Sequence, residues 1–210
     1  MDPTTSNEEL INAFNEIEDA DNRRCEGNVS HECVQDTVNM VGDLYGERED
    51  FALVGGIPLQ LKVLNHEEAG PEVLMREFGS RRTNDLDVMT TNVQELSSIY
   101  RNSEYSQRDH LDLDFVNPSL FPGEGENIIT NAENVRVQGY EIDADVRMPT
   151  DTDLFYTKVH DEYSRQSMGT RHDAEYMATS PIMDIDAEKL HDMVAGKTEA
   201  QDYIEKYLQF

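Results

Sequence analysis

Two rhythms of apolar residues divide this chain. Near the N-terminus, Ser6 and Glu9 have the spacing of a helix capping box, and Leu10, Ile11, Phe14 and Ile17 follow at helical period. A polar stretch over 19–28 separates that segment from a second predicted helix at 32–45, whose stripe is Val34, Val38, Val41 and Leu44. Phe51-Ala52-Leu53-Val54 is then a short unbroken apolar run closed by Gly55-Gly56, the signature of a buried strand. Leu59, Leu61, Val63 and Leu64 predict a helix after it, and residues 67–71 a loop.

The rhythm then shortens. Residues 85–89 alternate, with Leu86 and Val88 on the side opposite Asp85 and Asp87, so they predict a strand. Asn92 and Glu95 open a helix running through Tyr100. Residues 110–116 alternate again, Leu111, Leu113 and Phe115 against Asp112 and Asp114. Residues 118–126 are rich in Pro and Gly and read as loop, and 135–146 read as a hairpin turning at Gly139. From Thr150, which with Asp153 makes a capping-box-like pair, the pattern is helical: Leu154, Phe155 and Val159, then segments near 171–178, 187–194 and 198–208, broken by Pro181 and Gly196. The expected plan is an α/β (α+β) fold, a mixed sheet flanked by helices. Its expected parts are an N-terminal helical segment at 1–48, a core with the hairpin at 49–148, and a C-terminal helical segment at 149–210.

Composition changes this picture in one respect. The 210 residues hold 44 acidic and 17 basic side chains, a formal net charge of −27, and only five of the bases are lysines: Lys62, Lys158, Lys189, Lys197 and Lys206. The acids run from Glu8 to Glu205 among apolar residues, so they are not a tail. Adaptation to molar salt accounts for this best. At about 1 M the Debye length falls to roughly 3 Å, self-repulsion is screened, and a carboxylate surface stays hydrated. Cys25 and Cys33 make no disulfide framework, and with His31 they lack a fourth ligand at zinc-like spacing. No apolar run approaches the roughly 20 residues of a membrane span, and Met1-Asp2-Pro3-Thr4 lacks the pattern of a signal peptide. The expectation is a cytoplasmic protein with no membrane partner.

Candidate chemistry gathers around the middle strands. A strand that ends in Gly55-Gly56 and opens a helix lets backbone approach an anion at the helix N-terminus. Asp85 and Asp87 share one face of a strand, and two carboxylates there repel unless a cation lies between them. Such hard oxygen donors suit Mg²⁺ or Mn²⁺, with substrate phosphates completing the shell. Asp-x-Asp also occurs at 112/114, 143/145, 151/153 and 184/186, so the pair means little without its context.

The context is the order of parts. Strand, Gly-Gly, helix, then Arg81-Arg82-Thr83-Asn84-Asp85-Leu86-Asp87, then a later strand carrying Asp112, resembles the nucleotidyltransferase superfamily. The Arg-Arg-Thr-x-Asp-hydrophobic-Asp run resembles in particular the small AbiEii-like enzymes of abortive-infection and toxin–antitoxin systems. The resemblance continues in Lys158, in Arg165 seven residues on, and in Asp173, and it spans roughly 51–178. It implies that Gly55, Gly56, Lys158 and Arg165 contact an NTP such as ATP or GTP, and that Asp85, Asp87 and a third carboxylate hold metal. Asp112 and Asp114 share a face, and Asp112, earlier in the strand, is taken as the third. The implied catalytic set is Asp85, Asp87, Asp112, Lys158 and Asp173, with Arg81 or Arg82 assisting. The implied reaction moves an NMP to a hydroxyl of tRNA or of a protein, with an antitoxin as a further partner. Two departures, Ile57-Pro58 after the glycines and Tyr176 where the family often has a second Asp, motivate the alternative of a catalytically inactive nucleotide- or partner-binding relative.

Overall fold

The computed structural model describes residues 31–66, 86–107, 113–139, 142–165, 168–195 and 198–208. In chain order the elements are α1 (His31–Tyr45), β1 (Phe51–Val54), α2 (Ile57–Asn65), β2 (Leu86–Thr90), α3 (Val93–Asn102), β3 (Leu113–Val116) and α4 (Gly125–Asn131). The hairpin β4 (Glu133–Gly139) and β5 (Ile142–Met148) follows, and then α5 (Asp151–Arg165), α6 (Met168–Thr179), α7 (Ala187–Met193) and α8 (Thr198–Leu208). This is the mixed α/β arrangement that the hydrophobic pattern predicts.

The central sheet has the order β1-β2-β3, with β1 antiparallel and β3 parallel to β2. Alternation along the strands sorts its two faces. Leu53 and Phe51 of β1, Leu86 and Val88 of β2, and Leu113 and Phe115 of β3 join one apolar cluster with Val38 and Val41 of α1, Leu96 of α3 and Val146 of the hairpin. Val54, Met89 and Val116 turn the other way and meet Leu154, Phe155, Val159, Ala174 and Met177 of the C-terminal helices. α2 bridges the two, with Leu59 and Val63 in the second cluster and Ile57 and Leu61 in the first. Asp87 and Asp114 stand in the same alternation as Val54, Met89 and Val116, so they lie on the face that the C-terminal helices cover.

Two close approaches shape the frame. A Cβ on Gly42 of α1 would stand 2.7 Å from the Ala144 Cβ of β5, so the glycine lets that helix lie directly on the hairpin. Arg147 of β5 is buried and donates from Nε to the Phe51 carbonyl at 3.2 Å and from Nη2 to the Ile129 carbonyl at 3.0 Å, tying β5 to β1 and α4. The Thr150–Asp153 box forms as expected: the Asp153 amide donates to the Thr150 hydroxyl oxygen at 3.2 Å, and that hydroxyl donates to Asp153 Oδ2 at 2.8 Å. The Ser6–Glu9 box and the helix expected after it lie outside the described residues, and the Asn92–Glu95 box is diverted. Asn92 caps α3 by position, but its side-chain amide donates to Asp50 Oδ2 at 2.7 Å instead of accepting from the helix. The 118–126 stretch is also more ordered than a loop, for a 3₁₀ turn at Pro118–Leu120 leads into α4, which buries Ile128 and Ile129.

Asp50 anchors a polar knot. Arg48 grips it with two donors, at 2.8 and 2.7 Å, and reaches Glu95 with a third at 2.8 Å. Those donors from Arg48, ahead of the Asn92 amide, hold the Asp50 carboxyl down at about 2 against an ordinary 3.8. A carboxylate whose folded pKa is depressed stabilises the fold above its unfolded pKa and loses that contribution as pH falls through the folded one. With a quarter of each side chain exposed, screening trims the effect to about 1 kcal/mol. Urea denaturation of the wild type and Asp50→Asn should therefore differ by about that much near neutrality, and the gap should close between about pH 4 and about pH 2. A gap that stays constant with pH would show that Arg48 does not charge-stabilise this carboxylate.

Candidate functional site

The turn after β1 is built around Gly55. Its φ is +80°, the left-handed region that an L side chain resists, and a Cβ built there would stand 2.2 Å from Asp87 Oδ2. The antiparallel register explains the meeting, since Val54, the last residue of β1, lies opposite Asp87. The carboxylate therefore occupies the space that any side chain at position 55 would need. Gly56 caps α2 with helical backbone angles, and Ile57 and Pro58 form the first turn, both buried. A proline there forfeits only an N–H that the helix would not use, so Ile57-Pro58 fits the opening turn without breaking it.

The parallel ladder sets Asp114 of β3 beside Asp87, a neighbour spacing of about 4.8 Å. Asp87 is half-buried and Asp114 exposed. One glycine turn and two carboxylates thus share the end of the sheet where β1 finishes and β2 and β3 begin. Asp85, Asp112, Arg81 and Arg82 lie outside the described residues, so the register that places Asp114 says nothing of Asp112. Among the described residues, no group of three or more His, Cys, Asp or Glu gathers as a metal set. The donors that are present nonetheless suit Mg²⁺, which is commonly bound by one or two carboxylates with phosphates and water supplying the rest.

The C-terminal helices bring together two more of the predicted residues. Lys158 of α5 and Asp173 of α6 form an ion pair, Nζ to Oδ2 2.8 Å, with the lysine 4% exposed and the aspartate fully buried. The scarce lysines recur in this role. Lys62 of α2 pairs with Asp151 at 2.7 Å, and Lys189 of α7 pairs with the buried Asp153 at 2.9 Å. The amides of Asp184 and Asp186 donate to Asp151 Oδ2 and to the Thr152 hydroxyl oxygen, both at 2.9 Å, so the start of α5 is clasped from two sides. Arg165 is the last residue of α5, and its side chain lies outside the described set. In the sequence, the scarcity of lysines sets Lys158 apart. Nothing local signalled Lys62 or Lys189, because their partners are distant in the chain.

No helix among the described residues is long and apolar enough to cross a membrane. No family model matches this chain, and no curated protein matches it either. Among solved structures it is similar to an antigenic nucleotidyltransferase-like protein from Paracoccidioides brasiliensis, with a TM-score of 0.52 and 14% identity over 87% of this chain and 94% of that one. At that identity the likeness concerns the fold: mixed α/β, nucleotidyltransferase-like, with helices around a small sheet.

Proposed function

We propose that this chain binds a nucleoside triphosphate with a divalent cation at the Gly55-Gly56 turn, as a binding relative of the nucleotidyltransferases. The contact between Gly55 and the Asp87 carboxylate carries the reading, because it sets a hard oxygen donor against the turn that opens α2. Gly56 caps α2 without a side chain of its own, and the N-terminus of α2 offers its first-turn amides and its partial positive charge to phosphate oxygens. Asp87 and Asp114 would hold Mg²⁺, which when bound supplies the positive charge that lets phosphates sit beside carboxylates. Binding without transfer is favoured by the state of Lys158. Its ammonium is buried on Asp173, so it is engaged before any leaving group could call on it.

Calorimetric titration of ATP and GTP with Mg²⁺ in molar KCl is expected to give one saturable site, weakened at least tenfold in Asp87→Asn, with no label passed to RNA or protein. The absence of a saturable site would overturn the proposal.

The side-by-side register of Asp87 and Asp114 favours a second reading, the full transferase. In it, an acceptor oxygen on tRNA or a protein attacks the α-phosphorus and the bond to the bridging oxygen breaks. Pyrophosphate leaves, and the acceptor's proton passes to a carboxylate of the set that includes Asp85, Asp112 or Asp114. Lys158 and Arg165 would neutralise the leaving charge, and the activity would suit a toxin controlled by an antitoxin. Label transfer that disappears in Asp87→Asn would establish this reading over the first.

A further inference from the structure

A polar groove lies at the end of the central sheet that the phosphate site does not use. Thr90, the last residue of β2, pairs with Phe51, whereas Asp87 pairs with Val54, so the two places sit at opposite ends of β1. Thr91 and Asn117 follow directly on the ends of β2 and β3, which run parallel. Open α/β sheets place ligands in the crevice beyond such carboxyl ends. Two cavities, of about 460 and 570 Å³, meet there and share Thr91 and Asn117 as a common wall. Each is the size of a small-molecule site.

The walls are built in advance. The Thr90 hydroxyl donates to the Asp50 carbonyl at 2.8 Å and accepts from the Asn92 amide at 3.0 Å, which fixes the turn that carries Thr91. Opposite it, Asn117 Oδ1 accepts from the Ser119 amide at 2.9 Å. A Cβ on Gly125 would stand 2.1 Å from the Pro118 carbonyl oxygen, so the 3₁₀ turn lies directly on α4. Buried Pro118 and Phe121 give the 460 Å³ cavity an apolar floor, and the His160 ring backs Phe121 with ring centres 5.0 Å apart.

Around that floor the hydrogen-bonding groups are mostly neutral. The carboxamide of Asn117 is held by its oxygen, which leaves its Nδ2 donors for a ligand. Thr91 and Ser119 add hydroxyls, and Gln94 of α3 adds a second carboxamide. Among the described residues no Lys, Arg or His lines either cavity, so an anion would meet Glu126 with no counter-charge. The other acid, Glu95, is held by Arg48 at 2.8 Å, and no group of three metal donors gathers among the described residues. An aliphatic chain would take water from the carboxamides and return nothing. A ligand that fits is neutral, carries hydroxyls that both donate and accept, and has an apolar face for the floor. We infer that this groove is a saccharide site, with one ring over Phe121 and Pro118 and a second, linked ring beyond Thr91 toward Gln94. This goes beyond the phosphate-site reading and does not depend on it.

The probes are glucose, galactose and mannose, the disaccharides maltose and lactose, and glucose 6-phosphate. Saturation-transfer NMR on the full chain in molar KCl should show contact with at least one monosaccharide, and tighter binding of a disaccharide that contains it. Glucose 6-phosphate should bind more weakly than glucose, because the groove has no cation for it. Asn117→Asp keeps the acceptor for the Ser119 amide and removes the Nδ2 donors, so it should fold as the wild type does and weaken sugar binding about tenfold. Ser119→Trp, at an exposed position, should fill the floor and abolish binding, with far-UV circular dichroism as the check on folding. Thr91→Trp should close the junction and remove the advantage of the disaccharide. Sugar contact that is absent for all five neutral probes, or unchanged in both Asn117→Asp and Ser119→Trp, overturns the site. Glucose 6-phosphate that binds more tightly than glucose overturns it as well, for the groove would then be an anion site.

Discussion

Replacing Asp173 by alanine is expected to destabilise the fold by about 3–5 kcal/mol, because it leaves the Lys158 ammonium buried without its carboxylate. Lys158→Met should cost about as much, for the mirror reason. The double change Lys158→Met with Asp173→Leu should return to within about 1 kcal/mol of the wild type, since a buried pair replaced by apolar groups of similar size loses its attraction and its desolvation cost together. Against a total stability of about 5–15 kcal/mol, either single change is large. Urea melts followed by far-UV circular dichroism are the measurement, with the slope held constant as the check that only stability moved. The pair is buried, so raising salt to molar levels should leave the coupling almost intact, unlike that of the exposed Arg136 with Asp143 and Asp145. A double variant that costs the sum of the two singles would show that the residues do not interact. The double variant also separates the readings of function. If it binds nucleotide as the wild type does, Lys158 is structural, and the binding-relative reading gains. If nucleotide binding collapses while stability is restored, the lysine reaches the ligand.

Those residues also show what a linear pattern reveals and where it stops. Period-two alternation sorted the faces of β2 and β3 correctly: Leu86, Val88, Leu113 and Phe115 went to one core and left Asp87 and Asp114 on the other face. The Lys158–Arg165 spacing marked one helix, which exists as α5. What alternation does not contain is register. Whether a strand residue faces Asp87 is fixed by how β3 slides against β2, and the observed register puts Asp114 there. Burial of Lys158 was illegible for a related reason, since its partner Asp173 arrives on the next helix through an α5–α6 packing that no local period encodes. α4 is not legible in the sequence because seven residues with two adjacent isoleucines are too few to show a helical period, and the Pro and Gly before them read as turn. Asn92 had the right position for a cap, but a charged competitor, Asp50, took its side chain.

The strongest test of the site itself compares two glycines with nearly the same backbone. Gly55 and Gly123 have φ of +80° and +85°, so alanine at either is strained by about 1–2 kcal/mol. Around Gly123 a Cβ would meet nothing within 4 Å, so Gly123→Ala should show the backbone term alone. At Gly55 the same Cβ would fall 2.2 Å from Asp87 Oδ2 and 3.2 Å from its Cγ, so the carboxylate must swing away. Gly55→Ala should therefore destabilise more than Gly123→Ala, by roughly a further 1–3 kcal/mol. It should also weaken Mg²⁺–nucleotide binding at least tenfold, because the displaced oxygen is the proposed metal donor. Adding Asp87→Ala to Gly55→Ala should relieve the clash but not the backbone strain, so the double variant should cost less than the sum of Gly55→Ala and Asp87→Ala and should still be unable to bind nucleotide. That non-additivity is the signature of two groups sharing one space. Equal costs for Gly55→Ala and Gly123→Ala would mean that the Asp87 carboxylate does not rest on the turn, and the nucleotide-binding proposal would lose the contact on which it stands.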